Sequence, residues 1–220
     1  MKVMKELLPT NLGERKSLEL PKWLLEKRET IIKRYGTAQE FAVSFNPDIQ
    51  AKCAANVERS LTGEAPTIRQ LLATYTHKQM TVWLMGHFEN LNAFVGVKSK
   101  MEYEQMTMLA DIILIEYPYL KASEILLFFF YFKGGKFGEL YGTVDPLKVT
   151  VALHEFIKWR AKELDKIEQK QKADMETQQR EQSFANGITR ARYLRRKFYR
   201  KRQYKRIKRK AGNEYNNIAN

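Results

Sequence analysis

The sequence is poor in the residues from which catalytic and metal sites are usually built. Its 220 residues include one cysteine, Cys53, and three histidines, His77, His87 and His154. A single cysteine excludes an intramolecular disulfide and is typical of a reducing compartment. No histidine has a partner at a metal-ligand spacing such as HExxH, so we expect each to lie at the surface or at the edge of the core. The sequence therefore indicates no metal and no cofactor.

Signatures of covalent catalysis and of nucleotide binding are also missing. There is no Gly-x-Ser-x-Gly elbow, and Cys53 lies among alanines in a helical pattern. The segment Gly134–Gly138 superficially resembles a phosphate-binding loop. It follows a helical pattern instead of a strand, however, and Phe137 stands where a serine or threonine is required. We therefore predict a protein that is not an enzyme.

Long apolar stretches are absent as well. The longest run covers residues 125–132, about half of the ~20 residues that a membrane-spanning helix needs. Residues 1–19 contain no apolar stretch of signal-peptide length. We predict no membrane partner and a soluble, intracellular protein.

The apolar residues that are present, 44% of the chain, recur at helical intervals and predict an all-α fold. We expect a helical domain of about six helices, a long C-terminal helix and a basic tail. Helix starts are indicated by Pro21, by Asn46-Pro47-Asp48, by Ala65-Pro66-Thr67, by a capping box at Thr76 and Gln79, by Glu102, and by Asp145-Pro146. Gly36 and Gly63 are predicted stops.

The centre of the predicted core is the segment from Tyr117 to Arg160. Eight consecutive apolar residues at 125–132 leave no polar face, so we expect this helix to be covered on all sides. Asp145 and Pro146 are typical of an N-cap and a first helical position. The turn between the two helices contains four glycines, which allow a tight reversal into a helical hairpin. The structural turn residues are Gly134, Gly135, Gly138, Gly142, Asp145 and Pro146.

This segment resembles an uncharacterised family of small helical proteins from phages and mobile elements of gut bacteria. The resemblance rests on the Tyr117-Pro118 step, Glu124, the glycine turn, Asp145 and the Trp159-Arg160 pair, within roughly residues 70–165. More distantly, the segment is similar to the helical domain of phage replicative-helicase loaders. The resemblance implies a role in DNA replication and a replicative helicase as a protein partner. It also implies a location in the cytoplasm of a bacterial host cell, with the virion as the alternative. It supplies no catalytic residue.

The formal charge of +14 is concentrated at one end of the chain. Thirteen lysines and arginines lie between Arg190 and Lys210 without an acid, whereas residues 1–189 contain 26 basic and 24 acidic groups. We divide the chain into an N-terminal arm (1–20), a helical core (21–160), a polar extension or linker (161–187), a basic tail (188–210) and a disordered terminus (211–220). The extension is either a helix that projects into solvent or a disordered connector.

The basic tail is the strongest functional signal in the sequence, because it interleaves aromatic residues with cations. Cations neutralise phosphates and aromatic rings stack on unpaired bases, a combination typical of single-strand or RNA binding. Cations surround the axis of a helix drawn through the tail, so we expect it to become ordered mainly on contact with a polyanion. The predicted nucleic-acid-binding residues are Arg190, Arg192, Tyr193, Arg195, Arg196, Lys197, Phe198, Tyr199, Arg200, Lys201, Arg202, Tyr204, Lys205, Arg206, Lys208, Arg209 and Lys210.

Other interpretations of the tail are a membrane-surface segment, a localisation signal and a solubilising end. The apolar residues of the tail form no amphipathic stripe, which argues against the membrane-surface segment. We predict a non-enzymatic, nucleic-acid-binding accessory protein of a phage or mobile element that acts in DNA replication, with single-stranded DNA favoured. The alternatives are a genome-contacting virion protein and an RNA-binding factor. The oligomeric state does not follow from the sequence.

Overall fold

The computed structural model describes residues 21–96, 100–138, 144–185 and 190–218. The predicted N-terminal arm, residues 1–20, lies outside these ranges. The described residues form ten α-helices, one short 3₁₀ helix at Pro47–Ile49 and no strands, so the all-α prediction is confirmed. The helices are α1 Lys22–Tyr35, α2 Ala38–Ser44, α3 Gln50–Ala55, α4 Val57–Thr62, α5 Ile68–Thr74, α6 His77–Val95, α7 Tyr103–Glu116, α8 Ala122–Lys133, α9 Pro146–Ala185 and α10 Arg190–Ile218.

The chain divides into two compact units at Lys162 and Glu163. The first unit holds α1 to α8 and the first part of α9. The second holds the rest of α9 and all of α10. None of the described helices is both long enough and apolar enough to cross a membrane.

Side-chain caps explain where several helices begin. Thr76 and Gln79 form the predicted capping box at the start of α6, and Thr67 and Gln70 form another at α5. A third box, at Thr37, starts α2, which sequence reasoning missed because a seven-residue helix with one buried side chain has almost no periodicity. The helix predicted from Asn46 to Gly63 is interrupted at Asn56, whose side chain accepts a hydrogen bond from the backbone N–H of Arg59 and starts α4. The fold therefore has more helices than the predicted six.

Helix α8 lies at the centre of the core. Residues 122–129 are buried, and the Phe128 and Phe129 side chains are fully inaccessible. The prediction that the whole apolar run is covered was wrong at Phe130, which is 39% exposed. Phe132, in the same turn, is buried, so the last turn of α8 is covered on one side and Phe130 lies on the other.

Helix α8 packs against the first part of α9 as the predicted hairpin. The rings of Phe128 and Phe156 meet edge to face at 5.6 Å, and Glu124, at the start of α8, contacts Arg160. Val149, Leu153 and Phe156 are fully buried on α9. The antiparallel arrangement follows from these contacts, since residues early in α8 meet residues late in the packed part of α9.

A buried ion pair joins the two helices of this hairpin. The Glu124 carboxylate is fully buried, accepts a 2.7 Å hydrogen bond from Nε of Arg160 and accepts another from the backbone N–H of Lys121. Burial raises the pKa of Glu124, while Arg160 and the Lys121 N–H oppose that shift. The Lys121 ammonium donates to the carbonyl oxygens of Leu61 and Gly63, both at 2.8 Å. This cluster ties α4, α8 and α9 together.

His87 takes part in a second buried cluster. Its Nε2 lies 3.1 Å from the carbonyl oxygen of Phe45, which can only accept, so Nε2 donates and Nδ1 accepts from the Gln50 amide at 3.0 Å. The Lys133 ammonium donates to Gln50 and to Asn90. The expectation that His87 lies at the surface or core edge was wrong, because the residue is fully buried and both ring nitrogens have partners, Phe45 and Gln50. Burial lowers the pKa of His87 to about 4, so the ring is neutral at pH 7.

Candidate nucleic-acid interface

The structure places all the predicted nucleic-acid-binding residues in one helix, α10. From the sequence, this tail is expected to become ordered mainly on contact with a polyanion, and residues 211–220 are expected to be disordered. Instead α10 extends to Ile218. Arginine and lysine are good helix formers, and no glycine or proline interrupts the segment between Arg190 and Lys210. Intrinsic helix propensity therefore outweighs the repulsion between like charges on which the expectation rested.

The cations of α10 are exposed and lack acidic partners. The structure describes side chains from residue 192 to residue 206, and no ion pair forms among them. The nearest acids in sequence are Glu181 and Glu214. The exposed cations are Arg192, Arg195, Arg196, Lys197, Arg200, Lys201, Arg202, Lys205 and Arg206. Arg190, Lys208, Arg209 and Lys210 belong to the same helix, but their side chains lie outside the described set.

The spacing of these charges suits a phosphate backbone. The 21 residues from Arg190 to Lys210 span about 32 Å of helix, which gives one cation for every ~2.4 Å. A nucleic-acid strand has one phosphate for every ~3.4 Å of helix axis. Because the cations surround α10, about half of them can face a strand laid along one side. The remainder face solvent or a second strand.

The four predicted stacking residues are exposed but do not share one face. Exposure is 55% for Tyr193, 64% for Phe198, 65% for Tyr199 and 70% for Tyr204. Tyr193 and Tyr204 are eleven residues apart, which is close to three helical turns, so they lie on the same side of α10. Phe198 and Tyr199 lie in two other directions, and the Tyr199 hydroxyl accepts a hydrogen bond from Gln203. The helix thus presents two rings to a single strand, which sequence reasoning did not foresee.

The second part of α9 has a different charge pattern from α10. Ion pairs at helical spacing join Glu163 to Lys166 at 2.7 Å and Glu168 to Lys172 at 2.6 Å. The extension left open by the sequence analysis is therefore helical through Ala185, with cations that already have acidic neighbours. Its cations are less available to phosphates than those of α10.

The glycine turn has a structural role in the geometry observed. Gly135 and Gly138 adopt positive φ angles of 75° and 128°, and the Asp145 carboxylate accepts a 2.8 Å hydrogen bond from the Leu147 N–H at the start of α9. Gly134 is the C-cap residue of α8, and Pro146 is the first residue of α9. Gly142 lies outside the described residues.

The lysine of this turn, Lys136, packs against aromatic rings. The Lys136 ammonium lies 3.8 Å from the ring centres of both Tyr131 and Trp159, and Phe137 is buried against Phe156. Phe137 and Lys136 therefore fix the turn against α8 and α9.

The other chemically distinctive residues are dispersed. Within the described ranges no three His, Cys, Asp or Glu side chains are grouped so that they could hold a metal ion. His77 is at the surface, with Nε2 3.7 Å from Asp111, and the ring of His154 lies beside Tyr117. Burial raises the pKa of the Cys53 thiol, which disfavours the thiolate that a nucleophile needs.

Sequence reasoning also missed an exposed apolar stripe on α7. Met108 and Ile115 are each 66% exposed, and Ile112 is 43% exposed. The available signal was a second set of apolar residues at helical spacing, in addition to the buried set of Met106, Leu109, Ala110 and Ile113. A helix with apolar residues on two faces is predicted to be buried on both. In α7 the face with Met108, Ile112 and Ile115 is exposed.

Comparison with protein families finds a match in the second half of the chain. Residues 100–205 match a family described as a family of unknown function (DUF6633). The matched segment includes α7, α8, α9 and the first part of α10, so it joins helices of the core to the basic segment. Comparisons with curated proteins and with solved structures found no match.

Proposed function

We propose that the protein is a non-enzymatic nucleic-acid-binding accessory protein and that α10 is its binding element. The observation that supports this most directly is the row of exposed cations on α10, which have no acidic partner among the described side chains. A surface of this kind gains affinity for a polyanion by releasing the counterions that surround it. The family match supports treating α10 together with the core helices, because it extends from α7 into the basic segment.

The preferred ligand in this proposal is single-stranded DNA. Tyr193 and Tyr204 are exposed on the same side of α10 as part of the cations, and their rings can stack only on bases that are unpaired. Single-stranded RNA offers the same phosphates and base faces. The 2′-hydroxyl distinguishes the two, so matched DNA and RNA oligonucleotides of the same base sequence separate them.

The biological setting in this proposal is DNA replication in a phage or mobile element, with a replicative helicase as the protein partner. It rests on the resemblance of the hairpin from Tyr117 to Arg160 to helicase-loader domains. Co-purification of a replicative helicase with the tagged protein supports it. Presence of the protein in purified particles, without helicase, favours the genome-contacting virion protein.

Charge removal with a matched control tests the role of α10. The test variant is Arg195→Gln, Arg196→Gln, Arg200→Gln and Lys201→Gln. The control variant, Lys162→Gln, Lys166→Gln, Lys170→Gln and Lys172→Gln, removes the same charge from α9. We expect the α10 variant to bind a labelled single-stranded oligonucleotide about tenfold or more weakly in fluorescence anisotropy, and the α9 variant to bind within about twofold of the unmodified protein. Equal losses in the two variants would mean that total charge, and not α10, determines binding.

A further inference from the structure

Helix α7 has apolar side chains on two opposite faces. On the inner face Met106, Leu109 and Ile113 are buried in the core. On the outer face Met108, Ile112 and Ile115 are exposed. Their spacing of four and then three residues places them in one stripe along two helical turns, about 10 Å long. Single exposed apolar residues are ordinary, but a continuous stripe of three large ones is typical of a surface that a partner covers.

Acidic residues surround this stripe. Glu104 lies one turn before Met108, and Asp111 and Glu116 lie on its two sides when α7 is viewed along its axis. Residues 101–120 contain four acids, Glu102 being the other, and no lysine or arginine. Nε2 of His77 lies 3.7 Å from the Asp111 carboxylate. The surface is therefore apolar along its middle and negatively charged at its edges.

The charge selects the kind of partner. Nucleic acid and anionic membranes are both repelled by acids at the edges of an apolar stripe. An α7 face from a second copy brings the same acids, so two copies facing each other place like charges together. A basic amphipathic helix has the complementary arrangement, with a stripe of apolar residues to cover Met108, Ile112 and Ile115 and lysines or arginines to meet Glu104 and Glu116.

We propose that this outer face of α7, consisting of Met108, Ile112, Ile115, Glu104, Asp111 and Glu116, docks a basic amphipathic helix of a partner protein. The inference does not depend on nucleic-acid binding by α10. It gives the protein two recognition elements of opposite charge: a cationic helix for a polyanion, and an acid-edged helix for a cationic protein segment.

The probe is a synthetic helical peptide of about 18 residues with leucines along one face and lysines on both sides of them. A scrambled peptide of the same composition and a peptide with glutamates in place of the lysines are the controls. We expect the full-length protein to bind the first peptide in fluorescence anisotropy and to bind neither control. Equal binding of the scrambled peptide would overturn the proposal, because charge alone would then account for binding. Failure of the first peptide to bind would overturn it as well.

Substitutions on α7 test the location of the site. We expect Met108→Ser with Ile115→Ser to weaken peptide binding about tenfold or more, because truncating central apolar contacts has an effect of that size. Val43→Ser with Val82→Ser removes side chains that are 69% and 58% exposed on α2 and α6, and it should leave binding unchanged. All four positions are exposed, so we expect unchanged melting temperatures. Similar losses in the two double variants would contradict the assignment to α7.

A charge variant and two further measurements complete the test. We expect Glu104→Gln with Glu116→Gln to weaken binding severalfold and to reduce its dependence on salt. The Met108→Ser, Ile115→Ser variant should keep its affinity for a single-stranded oligonucleotide, which separates failure of this proposal from failure of the proposed function. A dimer in analytical ultracentrifugation that this variant abolishes would overturn the proposal, since a second copy would then be the occupant of the face.

Discussion

Charged side chains in the core have hydrogen-bond partners, whereas the described ones of α10 are exposed. In the core, the buried Glu124 carboxylate contacts Arg160 and a backbone N–H, and the Lys121 and Lys133 ammonium groups donate to oxygen acceptors. No buried side-chain nitrogen or oxygen among the described residues lacks a hydrogen-bond partner. In α10, by contrast, the described cations are exposed and none forms an ion pair. Charges in the core therefore maintain the structure, whereas those of α10 remain available for an external ligand.

This contrast implies that substitutions in the two regions have separate consequences. Changes in the core should alter the free energy of unfolding and leave nucleic-acid affinity of the folded protein unchanged. Changes on the exposed face of α10 should do the reverse, since surface substitutions usually change stability by less than about 0.5 kcal/mol. A core variant that is fully folded and yet loses nucleic-acid binding would break the comparison.

The largest expected effect on stability is at Phe129. Its ring is fully buried and contacts His87, Phe88 and Phe128. We expect Phe129→Ala to lower the free energy of unfolding by ~3–5 kcal/mol, through lost transfer energy and the cavity left behind. Chemical denaturation followed by circular dichroism measures it. Phe130→Ala, at the neighbouring exposed position, is the matched control and should have a much smaller effect. Equal effects at the two positions would show that burial along α8 differs from the structure.

A comparable effect is expected when Arg160 is removed from the buried ion pair. Arg160→Ala leaves the Glu124 carboxylate buried with the Lys121 N–H but without its guanidinium, which costs ~3–5 kcal/mol near pH 7. The control, Lys158→Ala, breaks an exposed pair with Glu155 and should have a much smaller effect.

The pH dependence of the Arg160→Ala variant has a definite sign. Burial already raises the pKa of Glu124, and loss of Arg160 raises it further. A group whose pKa is higher in the folded state binds more protons there, so the variant should recover stability as the pH is lowered through the raised pKa. Denaturation curves at several pH values measure this recovery. A deficit that is independent of pH would mean that Glu124 is not the group left unpaired.

His87 gives the opposite pH dependence. Its pKa is lowered from 6.5 to about 4 by burial, so between these values the unfolded chain binds a proton that the folded protein does not. Stability attributable to this residue is complete above pH ~6.5 and falls by ~3 kcal/mol as the pH drops through 4. His87→Gln should lose this part of the pH dependence, whereas His154→Gln, at an exposed position, should keep it. Identical pH profiles for the two variants would contradict the buried position of the ring.

Substitution of the aromatic residues of α10 should have a smaller effect, and this effect should be on nucleic-acid affinity. Tyr193→Ala with Tyr204→Ala removes two rings on one side of the helix and should cost ~1–3 kcal/mol for each base that they engage in a single strand. Affinity for duplex should be almost unchanged. The matched variant, Phe198→Ala with Tyr199→Ala, removes rings that point in two other directions and should cost less. Anisotropy titrations with single-stranded and duplex oligonucleotides measure both, and equal losses in the two variants would argue against a strand lying along one side of α10.

Local signals in the sequence predicted much of the core. The stop at Gly36, the capping box at Thr76 and the start at Asp145-Pro146 each depend on one or two residues, and all appear in the structure. Local signals of this kind did not predict contacts between residues that are distant in the sequence. Glu124 and Arg160 were noted as part of a pattern, but 36 residues separate them, and nothing in either sequence neighbourhood indicates that they form an ion pair.

The nucleic-acid-binding role of the tail residues stays a prediction, and only their geometry can be compared with the structure. Composition alone identified the cations and aromatic residues of the tail. The helical state of α10 was missed because like-charge repulsion was given more weight than the helix propensity of arginine and lysine. In the helix, the four aromatic residues point in different directions. Composition does not predict these directions, because they depend on the backbone conformation. The exposed face of α7 was missed because apolar spacing indicates burial and does not say what provides the cover.

The salt dependence of binding by the unmodified protein tests the central claim most directly. If about six cations of α10 contact phosphates, a plot of log affinity against log salt concentration should have a slope near −4 for a single strand and near −5 for a duplex. Affinity for the single strand should then fall by a factor of several hundred between 50 and 200 mM salt, while remaining higher than affinity for duplex with the same number of phosphates. A slope near zero, or no binding to any nucleic acid at low salt, would contradict the account.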